Sequence, residues 1–93
     1  MPETAKATIC NRRGLHARAS AKFVKIANQY EARVTVEYNG YAVEATSIMG
    51  LMMLAAAPGA EISLSAEGPD ADAAIAALQA LIADRFGEDQ DQP

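Results

Sequence analysis

Residues 32–45 read ARVTVEYNGYAVEA, two runs of alternating residues joined by Asn39-Gly40. Valine and tyrosine alternate with polar residues before the Asn-Gly pair, and a similar alternation returns from Tyr41 to Ala45. Asn-Gly suits a two-residue type I′ turn, because both central residues of that turn need a positive φ. The stretch therefore predicts a β-hairpin whose strands have one buried face and one solvated face.

The segments on either side of this hairpin predict two further strands and three helices. Strands are predicted from period-two alternation, and helices from apolar residues spaced three and four apart. Ser47 is a good N-cap for the short middle helix, and Gly68-Pro69-Asp70 starts the last helix, which Gly87 ends. The predicted strands are residues 3–10 and 60–67, and the predicted helices are residues 16–28, 48–54 and 69–86.

The element order β-α-β-β-α-β-α predicts an α+β fold, with one antiparallel sheet whose packed face is covered by the helices. A right-handed crossover between the first two strands leaves a gap that the fourth strand can fill, so the expected strand order is 1-4-2-3. No repeat or linker is visible, and residues 1–87 are expected to form a single domain. Residues 88–93, EDQDQP, are expected to form a disordered acidic tail.

The composition excludes several kinds of site. The chain of 93 residues has one cysteine, Cys10, and one histidine, His16, which rules out an intramolecular disulfide, a Cys-rich zinc site and a His-cluster metal site. No run approaches the roughly 20 apolar residues of a membrane span, and no secretory signal is visible. The sequence therefore predicts a cytoplasmic protein without membrane insertion.

The charge is divided unevenly along the chain. Residues 1–27 carry six basic residues and one acidic residue, a net +5, whereas residues 28–93 carry two basic and eleven acidic residues, a net −9. The overall charge of −4 argues against nucleic acid as a partner. A basic segment around the one histidine suits an anionic ligand or an acidic partner, although charge alone favours a solvated helix face.

His16 stands at the junction of the first loop and the first helix. If the helix begins at Ala17, the first-turn amides, including those of Ala17, Arg18 and Ala19, form an anion site beside the imidazole. Arg18 adds a guanidinium whose geometry matches phosphate oxygens. A nucleophilic histidine among phosphate ligands indicates phosphoryl acceptance. A kinase or hydrolase is disfavoured, because the sequence has no Walker glycine loop and no carboxylate cluster for magnesium.

The apolar segment after Ser47 contains three methionines and has two interpretations. Methionines often fill a core, but so short a helix cannot bury all its large side chains on one side, so some are expected to form an adaptable docking surface. Small residues near His16 would let a partner protein approach the imidazole closely, and lysines on the same helix would pair with acidic residues of that partner. The predicted docking residues are Ile48, Met49, Leu51, Met52, Ser20, Lys22 and Lys25.

Three segments together resemble the HPr family, the histidine-containing phosphocarriers of the bacterial phosphoenolpyruvate-dependent phosphotransferase system. The resemblance covers roughly residues 4–86 and implies the HPr-like open-faced β-sandwich. The segments are Gly14-Leu15-His16-Ala17-Arg18 followed by Phe23-Val24-Lys25, Ser47-Ile48-Met49-Gly50-Leu51-Met52, and Ala66-Glu67-Gly68-Pro69-Asp70.

The resemblance implies a phosphocarrier rather than an enzyme, and a monomer without a cofactor. His16 would receive phosphate from enzyme I on Nδ1 and pass it to a IIA protein or domain, with Arg18 as the active-site arginine. Ser47 matches the serine that an HPr kinase/phosphorylase phosphorylates in some bacteria. The family usually has proline after the arginine. Here Ala19 keeps the helix and adds an N–H donor, so the site is expected to survive.

Three other functions remain open on sequence grounds. Nitrogen-related carriers of the NPr type share the fold and the histidine motif. A small-ligand regulatory domain of the ACT type has a similar element order, but it gives no reason for His16 and Arg18 at a helix start. An RNA-binding sheet would need paired aromatic residues on a basic exposed face, whereas only Tyr38 and Tyr41 are strand aromatics.

Overall fold

The computed structural model describes residues 2–88 of the chain. The longest helix has 13 residues, and no helix within the described range is long and apolar enough to cross a membrane. The elements in chain order are β1 (Glu3–Thr8), α1 (Ala17–Ala27), β2 (Arg33–Tyr38), β3 (Tyr41–Glu44), α2 (Ile48–Leu54), β4 (Glu61–Glu67), α3 (Ala71–Ala83) and a 3₁₀ helix (Arg85–Gly87).

The four strands form one antiparallel sheet in the order β1-β4-β2-β3, which confirms the predicted fold class and strand order. Leu64 of β4 lies at the centre of the sheet, opposite Ala5 of β1 and Val36 of β2. Leu64 and Val36 are completely buried. The packed face is therefore built from alternate residues of neighbouring strands, as the period-two pattern requires.

The turn between β2 and β3 has the predicted backbone. Asn39 has φ 54° and Gly40 has φ 84°, and Tyr38 pairs directly with Tyr41 across the strands. Two consecutive positive φ angles are typical of a type I′ turn, whose twist matches that of the flanking strands. This short connection fixes the register of β2 against β3.

The helices cover the packed face of the sheet. The α1 helix packs against α2 and α3, while α3 packs against β1, β2 and β4. Apolar side chains with no solvent exposure come from all the layers, and they include Phe23 of α1, Leu51 of α2, Ile62 of β4 and Leu78 of α3. The first turn of α1 is thus held on a continuous core.

The end of α3 differs from the sequence prediction. The helix begins at Ala71, after the N-cap Asp70, and ends at Ala83, so Pro69 precedes the helix and Phe86 lies beyond it. Phe86 has φ 54° and is only 2 % exposed. The left-handed backbone turns the chain so that this ring still reaches the core, and the sequence pattern could not distinguish that turn from a continued helical stripe.

The predicted acidic tail is corrected at its first residue. Glu88 is 8 % exposed, and its carboxylate is hydrogen-bonded to the loop that precedes α1. The remaining residues of the predicted tail, 89–93, lie outside the described residues. Glu88 therefore belongs to the packed structure at the start of α1.

Candidate functional site

The loop between β1 and α1 is held against the backbone that follows α2. Gly14 has φ 66°, and a Cβ at this position would collide with the carbonyl oxygen of Ala56. The next amide, of Leu15, donates to the same oxygen at 3.0 Å. Glycine is required here both for its positive φ and for this close approach. The contact fixes the path of the chain into His16.

His16 is the N-cap of α1, as the sequence predicted. Its backbone has φ −75° and ψ −179°, and its carbonyl accepts the first bond of the helix, from the Ser20 amide at 2.8 Å. The amides of Ala17, Arg18 and Ala19 precede that bond and have no intrahelical acceptor. The His16 side chain makes no capping bond. The imidazole therefore belongs to the residue that caps the positive end of the helix.

The His16 ring is partly covered by Glu88 of the C-terminal segment. Its side chain is only 16 % exposed, and Nε2 lies 3.1 Å from Oε2 of Glu88. Arg18, two residues later, is exposed. This contact was not predicted, because the sequence places Glu88 in the expected disordered tail.

The Glu88 carboxylate is a hydrogen-bond acceptor for the loop before His16. Asn11 Nδ2 donates to Oε2 at 2.8 Å, and the Arg12 amide donates to Oε1 at 3.0 Å. The Asn11 hydrogen bond is the main cause that holds the pKa of Glu88 below its ordinary value, and the contacts with His16 and the Arg12 amide act in the same direction. These lowering effects outweigh the opposing effect of burial on the pKa, so Glu88 is ionised at neutral pH.

Ser47 is the N-cap of α2, which confirms the role predicted for it in the fold. Its Oγ accepts from the Gly50 amide at 2.9 Å, and the residue is half-buried. A Cβ on Gly50 would lie 3.0 Å from the Cβ of Val43. Glycine therefore lets the first turn of α2 pack closely on β3.

The α2 helix divides its large apolar side chains between the core and solvent. Leu51 is completely buried, and its neighbour one turn away, Leu54, is 7 % exposed. The expectation that Leu51 lies on the docking surface was therefore wrong. The side chains that remain exposed, named here the methionine patch, are Ile48 at 41 %, Met49 at 67 %, Met52 at 38 % and Met53 at 78 %. Met53 was not predicted to be exposed, because a seven-residue helix without polar residues does not show in its sequence which face is turned to solvent.

Two of the other predicted docking residues are not freely exposed. Ser20 is completely buried and donates from Oγ to the Leu15 carbonyl at 3.2 Å, so it belongs to the core. Lys22 is half-buried, and its Nζ donates to the Phe86 carbonyl at 2.7 Å. Lys25 is exposed, as predicted. Lys22 thus holds the C-terminal segment against α1.

The site joins an imidazole, an exposed guanidinium two residues later and the backbone amides of a helix start. Such a set can hold a phosphoryl group next to a nucleophilic nitrogen. Within residues 2–88, no three potential metal-ligating side chains lie together in a way that could hold a metal ion.

Comparison with known proteins identifies the family. Residues 3–84 match the family model described as "PTS HPr component phosphorylation site". The chain belongs to the HPr family. The match spans almost all the described residues and includes His16, the methionine patch and β4.

Relatives within the HPr family cover most of the chain. The phosphocarrier protein HPr of Cupriavidus necator is 53 % identical over 87 % of this chain and 91 % of its own length. The phosphocarrier protein NPr of Shewanella violacea is 42 % identical over 87 % of this chain and 89 % of its own length. A crystal structure of HPr from Thermoanaerobacter tengcongensis has a TM-score of 0.88 and 42 % identity, and the alignment covers 91 % of this chain and 96 % of that one.

The HPr family relation decides between the broad functional classes. The relatives from Cupriavidus necator and Shewanella violacea are named phosphocarrier proteins, and this chain is accordingly a phosphocarrier of the phosphotransferase system rather than a catalytic enzyme. The ACT-type domain and the RNA-binding sheet, which shared only coarse features with the sequence, are thereby set aside.

Proposed function

We propose that His16 accepts a phosphoryl group on Nδ1 from phosphorylated enzyme I and passes it to a IIA protein or domain. The observation that carries this proposal is the place of His16 at the start of α1, beside Arg18 and the first-turn amides, within the segment that matches the family model. In the first transfer the Nδ1 lone pair forms the new bond to phosphorus, and enzyme I keeps the electrons of the bond that breaks. In the second transfer a nucleophile of the IIA partner forms the new bond, and Nδ1 keeps the electrons of the broken N–P bond.

A carrier must bind phosphate weakly enough to release it. The positive end of a helix stabilises an anion by about 0.3–1 kcal/mol at an exposed position. One guanidinium and a few amides add to this without enclosing the phosphate. In-line geometry and exclusion of water then come from the partner protein.

The methionine patch is proposed as the surface on which enzyme I and the IIA partner dock. Methionine side chains adapt to differently shaped surfaces, which suits a carrier that must bind both a donor and an acceptor. Arg18 and Lys25 are exposed on α1 and complement acidic partner residues. The protein acts in this proposal as a cytoplasmic monomer without a cofactor.

Ser47 is proposed as a regulatory phosphorylation site for an HPr kinase/phosphorylase. A phosphate on its Oγ would add a charge of about −1.5 to −2 next to the methionine patch. Partners that dock through apolar and acidic residues would then be repelled, while the fold is preserved because negative charge is tolerated at a helix start.

The test is incubation with phosphoenolpyruvate and enzyme I, followed by intact-mass measurement. The wild-type chain is expected to gain one phosphoryl group that is labile in acid and stable in alkali, as a phosphoramidate is. His16→Ala is expected to gain none, with unchanged circular dichroism, since the imidazole contributes little to the core. Phosphorylation of His16→Ala at the wild-type rate contradicts the assignment.

The second candidate is an NPr-type carrier in a regulatory phosphorelay. The 42 % identity with the Shewanella violacea protein named NPr supports this candidate, and the 53 % identity with the Cupriavidus necator protein named HPr supports the first one. Phosphorylation rates with enzyme I of the sugar system and with the nitrogen-related enzyme I distinguish them, and the faster donor identifies the branch.

A further inference from the structure

The Glu88 carboxylate is held in place independently of His16. Oε2 accepts from Asn11 Nδ2 at 2.8 Å, and Oε1 accepts from the Arg12 amide at 3.0 Å. Both donors belong to the loop before α1, and the Glu88 side chain is only 10 % exposed. The position of the carboxylate therefore does not depend on its contact with the imidazole.

Asn11 is itself fixed by its surroundings. The residue is completely buried, and its Nδ2 also donates to the Gly14 carbonyl at 2.9 Å. Both of its partners are acceptors, so the amino group of the amide must face them. Within residues 2–88 its Oδ1 has no hydrogen-bond partner. The two bonds made by Nδ2 therefore orient the amide of Asn11 towards Glu88.

The carboxylate determines which imidazole nitrogen carries the proton. Oε2 of Glu88 lies 3.1 Å from Nε2, and an ionised carboxylate can only accept a hydrogen bond. Nε2 must therefore be the protonated nitrogen, and in the neutral ring Nδ1 then has the free lone pair. Within the described residues, no hydrogen bond engages Nδ1.

We propose that Glu88 is a positioning residue, which holds the Nε2–H tautomer of His16 and so presents Nδ1 as the nucleophile. The proposal rests on the proposed phosphotransfer through His16. It assigns to the segment after α3 a role in the reaction, although that segment follows the family match at residues 3–84.

The proposed step needs no proton transfer. The Nδ1 lone pair forms the bond to phosphorus, the donor keeps the electrons of the broken bond, and Nε2 keeps its proton. Because the ring gains positive charge in this step, the Nε2–H bond to the carboxylate becomes stronger as the phosphoryl group arrives. The same bond weakens again when the group leaves, so Glu88 serves both directions of transfer.

The test uses the ring ¹⁵N chemical shifts of the protein labelled with ¹⁵N-histidine, at a pH above the usual titration range of imidazole. The chain has one histidine, so the signals are unambiguous. The wild type is expected to show a protonated Nε2 and an unprotonated Nδ1. In Glu88→Gln the two shifts are expected to converge, because a neutral amide accepts from Nε2–H less strongly and can instead donate its N–H to an unprotonated Nε2.

The kinetic readout is phosphorylation by enzyme I. The kcat of Glu88→Gln is expected to fall about tenfold with KM unchanged, since a charge-assisted hydrogen bond is lost and the methionine patch is untouched. The matched control is Glu37→Gln, which makes the same change on an exposed residue of β2 and should leave shifts and rates as in the wild type.

A purely structural role for Glu88 predicts a different pattern. In that case Glu88→Gln lowers the melting temperature but leaves both the ring shifts and kcat at wild-type values, and the proposal is overturned. If the variant does not fold, the wild-type shifts alone decide, since a proton on Nδ1 or a mixed tautomer overturns it. Failure of wild-type phosphorylation with the expected tautomer refutes the proposed function while leaving the hydrogen bond in place.

Discussion

Arg18 is the charged side chain whose contribution to transfer is easiest to isolate. It is exposed in the first turn of α1, and Arg18→Ala is expected to slow phosphoryl transfer by roughly ten- to a hundredfold, because a hydrogen bond to a charged group contributes about 1.5–3 kcal/mol. Arg18→Lys keeps the charge but loses the forked geometry, so recovery should be partial. Rapid-quench measurement of transfer from enzyme I gives the rates, and equal rates for wild type and Arg18→Ala remove Arg18 from the mechanism.

At Ser47, the effect of a negative charge on partner binding can be measured separately from the effect of helix capping on stability. Asp and Asn are both good N-caps, so either can replace the Oγ that accepts from the Gly50 amide. Ser47→Asp is expected to lower the affinity for enzyme I several-fold with little change in melting temperature, because its charge adjoins the methionine patch. Ser47→Asn carries no charge and should bind like the wild type.

Titration of enzyme I in the transfer assay measures these affinities. Equal apparent affinities of Ser47→Asp and Ser47→Asn for enzyme I would contradict the regulatory proposal.

Individual residues differed in how far the sequence could reveal them. His16 and Ser47 were recognisable because each stands where a loop meets an apolar-periodic segment. Glu88 was not, because its partner Asn11 is 77 positions away and it lies in a polar, acidic run that looks solvated. The packing of Ser20 against the Leu15 carbonyl was equally hidden, since serine at a helix start is equally compatible with burial and exposure.

At the scale of one element, α2 offers a paired test of surface against core. Met49 is 67 % exposed and Leu51 is completely buried, although they are two residues apart. Met49→Glu is expected to weaken enzyme I binding about tenfold or more, as loss of an interface anchor does, with a stability change within about 0.5 kcal/mol. Isothermal titration calorimetry and thermal unfolding measure the two effects.

Leu51→Ala is the complementary variant in the core. Truncation of a buried leucine is expected to lower the free energy of unfolding by about 2–5 kcal/mol and to leave the affinity of the folded protein unchanged. The assignment of the two faces fails if Met49→Glu loses stability while keeping its affinity.

Among the elements, the strands were more predictable than the helix ends. Strand alternation has a period of two, so even the six residues of β2 determine which face is buried. The seven residues of α2 span only two turns and are nearly all apolar, so several phases fit equally well. The C-terminus of α3 was misplaced because Phe86 reaches the core from a left-handed backbone that no apolar spacing encodes.

At the scale of the whole molecule, Glu88 connects the C-terminal segment to the loop before α1, which makes stability depend on pH. Its pKa in the folded state is lowered, chiefly by the Asn11 hydrogen bond, so its contribution is complete above the unfolded value near 4.5 and is lost as the pH falls through the folded pKa. The difference in melting temperature between wild type and Glu88→Gln should therefore be largest near neutral pH and shrink on acidification.

The carboxylate of Glu3 affects the pH dependence of stability in the opposite direction, so the melting temperature of the wild type must be compared with that of Glu88→Gln. The hydrogen bond and repulsion from Asp72 raise the pKa of Glu3, which favours the folded state at low pH. Because Glu3 is present in both proteins, subtraction removes its contribution. A difference in melting temperature that stays constant from neutral pH to below pH 4.5 contradicts the ionised contact of Glu88.

The strand order has a consequence for synthesis on the ribosome. The central strand β4 begins at Glu61 and pairs with both β1 and β2, so a nascent chain that ends before it can form only the β2–β3 pairing. A lone two-stranded hairpin is marginally stable in water. Until β4 emerges, the apolar faces of β1 and α1 have no complete sheet to pack against. Cooperative folding is therefore expected only during the last third of translation.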